Sequence, residues 1–180
     1  MSGRLVIVGG APATGKTTLA LALGKALGLP VITKDDIKES LAAPFKTGDR
    51  EWSRQLGAAA YSVLFTIAER ILAGGQGLIL ESNFHRGIAD EQLRALAARA
   101  PTVVIVCHSP NARQRFAERA ARGRHRVHID DAVLEEWSGD DSAHQIDIGM
   151  PLLLVDTTDG YAPELERIVT FARGATVPPR

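Results

Sequence analysis

The chain predicts an α/β fold, a parallel sheet of five short strands covered by helices on both faces. Two observations carry this. Five apolar runs are continuous rather than alternating, as strands buried on both faces require: Leu5-Val6-Ile7-Val8, Val31-Ile32, Leu78-Ile79-Leu80, Val103-Val104-Ile105-Val106 and Leu152-Leu153-Leu154-Val155. Between them lie longer amphipathic stretches, and connections of that length suit parallel crossovers. The 180 residues are enough for one well-buried domain, and no repeat or low-complexity linker divides them, so 1–180 reads as a single domain.

Each helix has its own local reason. Over 15–28, Leu19, Leu23 and Leu27 recur at helical spacing, and Gly28 suits the stop. A short helix over about 35–41 follows the second strand. Residues 44–49 read as a loop, and 50–73 as one long helix that ends at Gly74-Gly75. A helix over about 88–99 precedes the fourth strand. Another starts after Ser109-Pro110, with serine as cap and proline in the first turn. The last helix runs over 163–172, and the TVPPR tail is expected to fray.

Composition narrows the function. Lys plus Arg and Asp plus Glu are 21 each, so no global positive field grips nucleic acid, although a local basic patch is compatible. The single cysteine, Cys107, excludes an internal disulfide and a cysteine-built zinc site, and reads as a small buried hydrophobe. No apolar run approaches the roughly 20 residues that span a bilayer. The opening MSGRLVIVGG carries an apolar stretch too short for a signal peptide. A cytoplasmic protein without a membrane partner is the expectation.

In a parallel sheet the ligand site lies at the carboxyl ends of the strands. After the first strand stand Gly10-Ala11-Pro12-Ala13-Thr14-Gly15-Lys16-Thr17, a full match to G-x-x-x-x-G-K-[ST], followed by Thr18. The glycines let successive amides turn toward phosphate oxygens, and the helix that begins near Gly15 adds its positive end. In this motif Lys16 reaches the β- and γ-phosphates and the Thr17 hydroxyl ligates Mg²⁺. The expectation is binding of a nucleoside triphosphate with magnesium.

Four features then point to phosphoryl transfer onto a small acceptor. After the second strand, Asp35 stands where a carboxylate can take the proton of an attacking hydroxyl, while Thr33 and Asp36 have the spacing of a helix cap. The third strand ends in Glu81, placed to hold magnesium through water, followed by Ser82 and Asn83, which can bond the acceptor. Residues 113–126 hold Arg113, Arg115, Arg119, Arg122, Arg124 and Arg126, a lid over about 119–130 that would neutralise charge during transfer. The same run also fits a solvated basic face or an RNA patch. Seven acids and no Lys or Arg follow in 130–147, able either to pair with the lid or to repel anions. Fourth, no N-K-x-D guanine signature is present, which favours ATP. Trp52, Tyr61 and Trp137 read as packing groups, Trp137 as a lid anchor. Phe45 and Phe84 are candidate walls of the acceptor pocket, and His85 a surface or hydrogen-bonding group.

At these residues the chain resembles the P-loop small-molecule kinase group, which includes the kinase domain of phage-type polynucleotide 5′-kinase, chloramphenicol phosphotransferase and zeta toxin. The likeness runs from Leu5 to about Arg173. It implies a three-layer P-loop fold with strand order 2-3-1-4-5 and an Arg-rich lid. TKDDIKESL is similar to the polynucleotide kinase segment whose first aspartate is the general base, which implies that role for Asp35 and a substrate-phosphate role for Lys38. LESNF implies the acidic strand end at Glu81, and the lid arginines map to Arg119 and Arg122, with Arg124 and Arg126 beside them. The third strand departs from the group by carrying Glu for Asp, and His125 and His128 are unusual in the lid.

The resulting expectation is an ATP-dependent kinase acting on a hydroxyl of a small molecule. Asp35, Lys16, Arg119 and Arg122 carry the chemistry, the loop Gly10 to Thr18 and Arg119 bind nucleotide, and Asp35, Lys38, Arg50 and Asn83 meet the acceptor. A 5′-hydroxyl nucleic acid or nucleoside kinase is the nearest alternative, with Lys38 and Arg50 on the acceptor phosphate. A nucleotide-dependent switch protein is the third.

Overall fold

The computed structural model describes residues 3–46, 48–123, 125–137 and 140–174. Arg124, the side chain of Arg126 and the TVPPR tail lie outside the described residues. Five strands, β1 (Leu5–Gly10), β2 (Val31–Thr33), β3 (Leu78–Glu81), β4 (Thr102–His108) and β5 (Leu152–Asp156), form one parallel sheet of order β2-β3-β1-β4-β5. The helices are α1 (Lys16–Leu27), α2 (Lys34–Ala42), α3 (Arg50–Ala73), α4 (Asp90–Ala97), α5 (Ala112–Arg122), α6 (Asp130–Glu136) and α7 (Leu165–Ala172).

The continuous apolar strands feed two cores. Leu5, Ile7, Leu78, Leu80, Val104 and Val106 point to one side, where α3 and α4 cover them. Val6, Val8, Ile79, Val103, Ile105 and Cys107 point to the other, under α1 and α7. Each such side chain contributes about 1.5–3 kcal/mol by leaving water, so the center of the sheet is the rigid floor of the molecule. Helix α3 is the one described helix long and apolar enough to cross a membrane by length and composition. Its Ala60, Leu64, Ala68 and Leu72, spaced four apart, are instead buried against the sheet.

Three expectations change. β5 is not buried on both faces: Leu152 and Leu154 are 38% and 53% exposed, because β5 is the sheet's edge and the α3–α4 core stops at β4. Ser109 does not cap α5; its Oγ accepts from Asn111 N at 3.2 Å, ordering the turn before a helix that starts at Ala112. Between Gly123 and β5, where no element is expected, stand a 3₁₀ turn, Arg126–His128, and α6. Elsewhere the local signals hold. Gly28 ends α1 at φ 67°, with its N–H on Gly24 O, and Thr33 caps α2, its Oγ1 accepting from Asp36 N at 3.0 Å.

Candidate active site

The loop after β1 is shaped by backbone that ordinary side chains resist. Gly10 has φ 135°, and a Cβ there would lie 2.3 Å from Cys107 O. Gly15 has φ 76° as the residue before α1. Ala13 adopts φ 59° although it carries a Cβ, a left-handed conformation that costs about 1–3 kcal/mol and clusters at functional sites. The curl is held from within and from outside. Thr14 Oγ1 donates to Ala11 O at 2.8 Å, and Thr157, after β5, donates its hydroxyl to Thr14 O at 2.8 Å. Arg115 pins that second loop, donating to Thr157 O at 3.0 Å and Thr158 O at 2.6 Å.

Lys16 is buried and donates to Ala11 O at 3.1 Å. Burial pulls its pKa down, while the carboxylates of Glu81 and Asp35 push it back up. Thr17 donates its hydroxyl to Glu81 Oε2 at 2.9 Å. Glu81 is itself buried, and burial raises its pKa against the opposing charge of Lys16. Magnesium keeps several waters and takes one or two carboxylates together with phosphate oxygens. The Thr17 hydroxyl and the Glu81 carboxylate suit that demand. Among the described residues no group of three or more His, Cys, Asp or Glu could hold an ion.

A cavity of about 370 Å³ opens above this loop, bounded by Lys16, Thr17, Asp35, Asn83 and Arg119. Asp35 stands half-buried on its wall, with Lys34 Nζ 3.6 Å from Oδ1. Lys34 also donates to Asn83 Oδ1 at 3.2 Å, so the ends of β2 and β3 are tied together beside the carboxylate. Lys38 and Arg50 line the same cavity. Lys38 is buried and donates to Ser53 Oγ at 2.8 Å. Arg50 grips Glu136 of α6 with Nη2 at 2.7 Å and Nε at 3.3 Å, and Arg54 adds a third bond at 3.1 Å.

Val127 and His128, within the segment expected to form the lid, are tied to α3 and α2. Ser53 Oγ donates to Val127 O at 2.6 Å, and His128 Nε2 meets Glu39 Oε1 at 2.7 Å. Arg119 lies 4.8 Å above the Phe116 ring and 3.8 Å from Asp130, and Trp137 packs edge-on to Phe116 at 5.7 Å. The acidic stretch therefore pairs with basic side chains of α3 and α5. Arg122 is not brought to the cavity; it is 81% exposed and 4.0 Å from Glu118. Thr18 is exposed on the first turn of α1.

Sequence reasoning missed His144, buried beside His85 with ring centroids 4.3 Å apart and its Nδ1 3.2 Å from Phe84 O. Burial lowers its pKa to about 4. His144 comes from an irregular segment far along the chain, where no periodic pattern marks it. Two candidate acceptor walls are corrected. Phe84 is wholly buried in the α3–α4 core, and Phe45, 63% exposed, lies beside Trp52 in a separate depression. Ser82 is buried, with its hydroxyl on Tyr61 Oη at 3.0 Å.

The strand order, the glycine loop that opens α1 and the acid at the end of β3 define a P-loop fold of the kinase type. The chain belongs to the AAA_33 family, whose model, described as an AAA domain, matches residues 5–139. It is similar to the crystal structure of a candidate kinase from Chloroflexus aurantiacus j-10-fl, 39% identical, with 98% of this chain and 100% of that one covered and a TM-score of 0.85. The APS kinase CysC of Mycobacterium tuberculosis, in complex with AMPPNP and APS, shares the fold at 15% identity, with 96% and 98% of the chains covered and a TM-score of 0.59. An uncharacterised protein of Mycobacterium tuberculosis strain H37Rv is 33% identical over 103 residues, 53% of this chain and 20% of the relative. The match thus spans about a fifth of the length of the curated relatives.

Proposed function

We propose that the protein is an ATP-dependent kinase that moves the γ-phosphoryl group onto a hydroxyl of a small-molecule acceptor, with Asp35 as the general base. The observation that carries this is one cavity faced by Lys16, by Thr17, whose hydroxyl is on Glu81, and, from the first turn of α2, by Asp35. The loop amides and Lys16 hold the β- and γ-phosphates. Asp35 takes the proton of the acceptor O–H, the acceptor oxygen forms the new bond to phosphorus, and the bond to the β-phosphate oxygen breaks as ADP leaves. Lys16 and Arg119 face the charge that develops. A magnesium ion held by Thr17, and through water by Glu81, would neutralise the phosphate oxygens. Arg122 contributes only through further closure of residues 119–130. A small acceptor is favoured over a nucleic-acid strand because Lys38 and Arg50, the cations a strand would need, are engaged by Ser53 and Glu136.

The test is product mass from ATP and Mg²⁺ with a panel of nucleosides, 5′-hydroxyl oligonucleotides, sugars and hydroxylated antibiotics. Asp35→Asn is expected to lower transfer about 10²–10⁴-fold with nucleotide binding kept. Full transfer by Asp35→Asn contradicts the base assignment.

A further inference from the structure

A second cavity, of about 520 Å³, lies between α3 and the loop that leads into α4. Its walls are Ala58, Tyr61 and Phe65 on one side and Ile88 on the other, with His85 at one end. Ile88 is 74% exposed, an unusual setting for a large aliphatic side chain beside stacked aromatic rings. None of the lining residues is Lys or Arg, and the one formal charge, Glu69, is paired with Arg99 outside the groove. The volume falls in the range of small-molecule pockets, roughly 300–1,000 Å³.

This groove adjoins the cavity that holds Asp35. His85 lines both. Tyr61 forms the partition: its ring faces the groove, Lys34 Nζ sits 5.2 Å from the ring center, and the same Nζ is 3.6 Å from Asp35. Its hydroxyl donates to Asn83 O at 3.3 Å, which fixes the ring against the strand end that bounds the first cavity. One lysine side chain thus touches both the base and the aromatic wall.

We infer that the α3–α4 groove is an apolar subsite of the acceptor, so that the acceptor is amphipathic: a hydroxyl presented to Asp35 and an uncharged, ring-bearing body seated on Tyr61, Phe65 and Ile88. The inference rests on the kinase reading above. A neutral body follows from the absence of lining cations, which an anionic one would require. A ring-bearing body follows from the Tyr61, Phe65 and Ile88 wall, while Ser62, Thr66 and Gln92 offer partners for a few polar groups on it.

The experiment compares 3-phenyl-1-propanol with 1-propanol, which share the hydroxyl head and differ in the ring, by ligand-observed NMR titration of the full chain. The phenyl alcohol is expected to bind at least about tenfold more tightly. Ala58 and Ile88 are both exposed, so Ala58→Trp, which fills the groove, and Ile88→Asp, which charges it, are expected to fold, with Tm checking each. Both variants should cut the preference to less than about twofold and leave ATP binding unchanged. Equal binding of the two alcohols by the native chain, or a preference that survives both variants, overturns the inference. Phosphoryl transfer from ATP to the same alcohols separates the two readings. Equal transfer to both keeps the kinase reading and overturns the subsite. A groove-dependent binding preference without transfer to either alcohol supports the subsite's ligand class and counts against the kinase reading.

Discussion

Lys16 and His144 show how single residues are tuned by burial at this site. The ammonium of Lys16 is held inside the protein by the facing charges of Glu81 and Asp35 and by Ala11 O. Lys16→Ala should lower nucleotide affinity and transfer at least about a hundredfold, since on the proposed reading Lys16 is the loop side chain for the outer phosphates. Isothermal titration with an ATP analogue, with circular dichroism to confirm folding, measures this. His144 has a folded pKa of about 4, below the unfolded value near 6.5. Between those values the unfolded chain binds the extra proton, so stability is lost as pH falls from about 6.5 toward 4 and is fully present above that window. His85, whose pKa is lowered by burial and by Lys34, acts in the same direction. We expect Tm to fall on acidification through this range and His144→Asn to flatten the fall. A Tm slope unchanged in that variant would contradict the assignment.

At the scale of the element, the loop and the lid base are the two places where local geometry decides function. Gly10→Ala puts a methyl group against the Cys107 carbonyl and Thr14 Oγ1, both fixed by the sheet and the loop. It should cost about 3 kcal/mol or more in denaturant unfolding. Ser53 links α3 to the lid by donating to Val127 O while accepting from Lys38. Ser53→Ala should cost roughly 1–3 kcal/mol and loosen the lid base. Faster amide exchange across 125–136 is the readout, and unchanged exchange would assign Ser53 to stability alone. These elements were unequally legible. The strands, α1 and α3 were readable because burial on both faces or along one stripe leaves a periodic trace. The phosphate loop was readable because its backbone demands glycine at set positions. α6 was not, since seven residues rich in acid, held by salt links to Arg50, Arg54 and Arg119, carry no apolar period. β5 reads as buried from its apolar run, yet its exposure depends on the helices stopping at β4, which no local pattern encodes.

For the whole molecule, a double core about the sheet presents the ends of β1, β2 and β3 to one cavity, which side chains of α5, His128 and α6 line from the other side. The fold could be read because every level agrees: continuous strands, crossover lengths, the glycine loop and the cap at Thr33. The acceptor could not, because the side chains of α3, the β3–α4 loop and α6 that line the two cavities converge only in three dimensions. Lys38 shows the limit. Its position in the sequence suggests a substrate phosphate, whereas its ammonium donates to Ser53 inside the protein. On the proposed reading, this cavity transfers phosphate with Asp35 as the base. The most direct measurement is the mass of the product formed from ATP, Mg²⁺ and a panel of hydroxyl compounds by the native chain, by Asp35→Asn and by Lys16→Ala. One acceptor class is expected to gain a single phosphoryl group, Asp35→Asn to bind ATP but transfer about 10²–10⁴-fold more slowly, and Lys16→Ala to lose both. Native-level transfer by Asp35→Asn, or nucleotide binding with no acceptor modified, would contradict it.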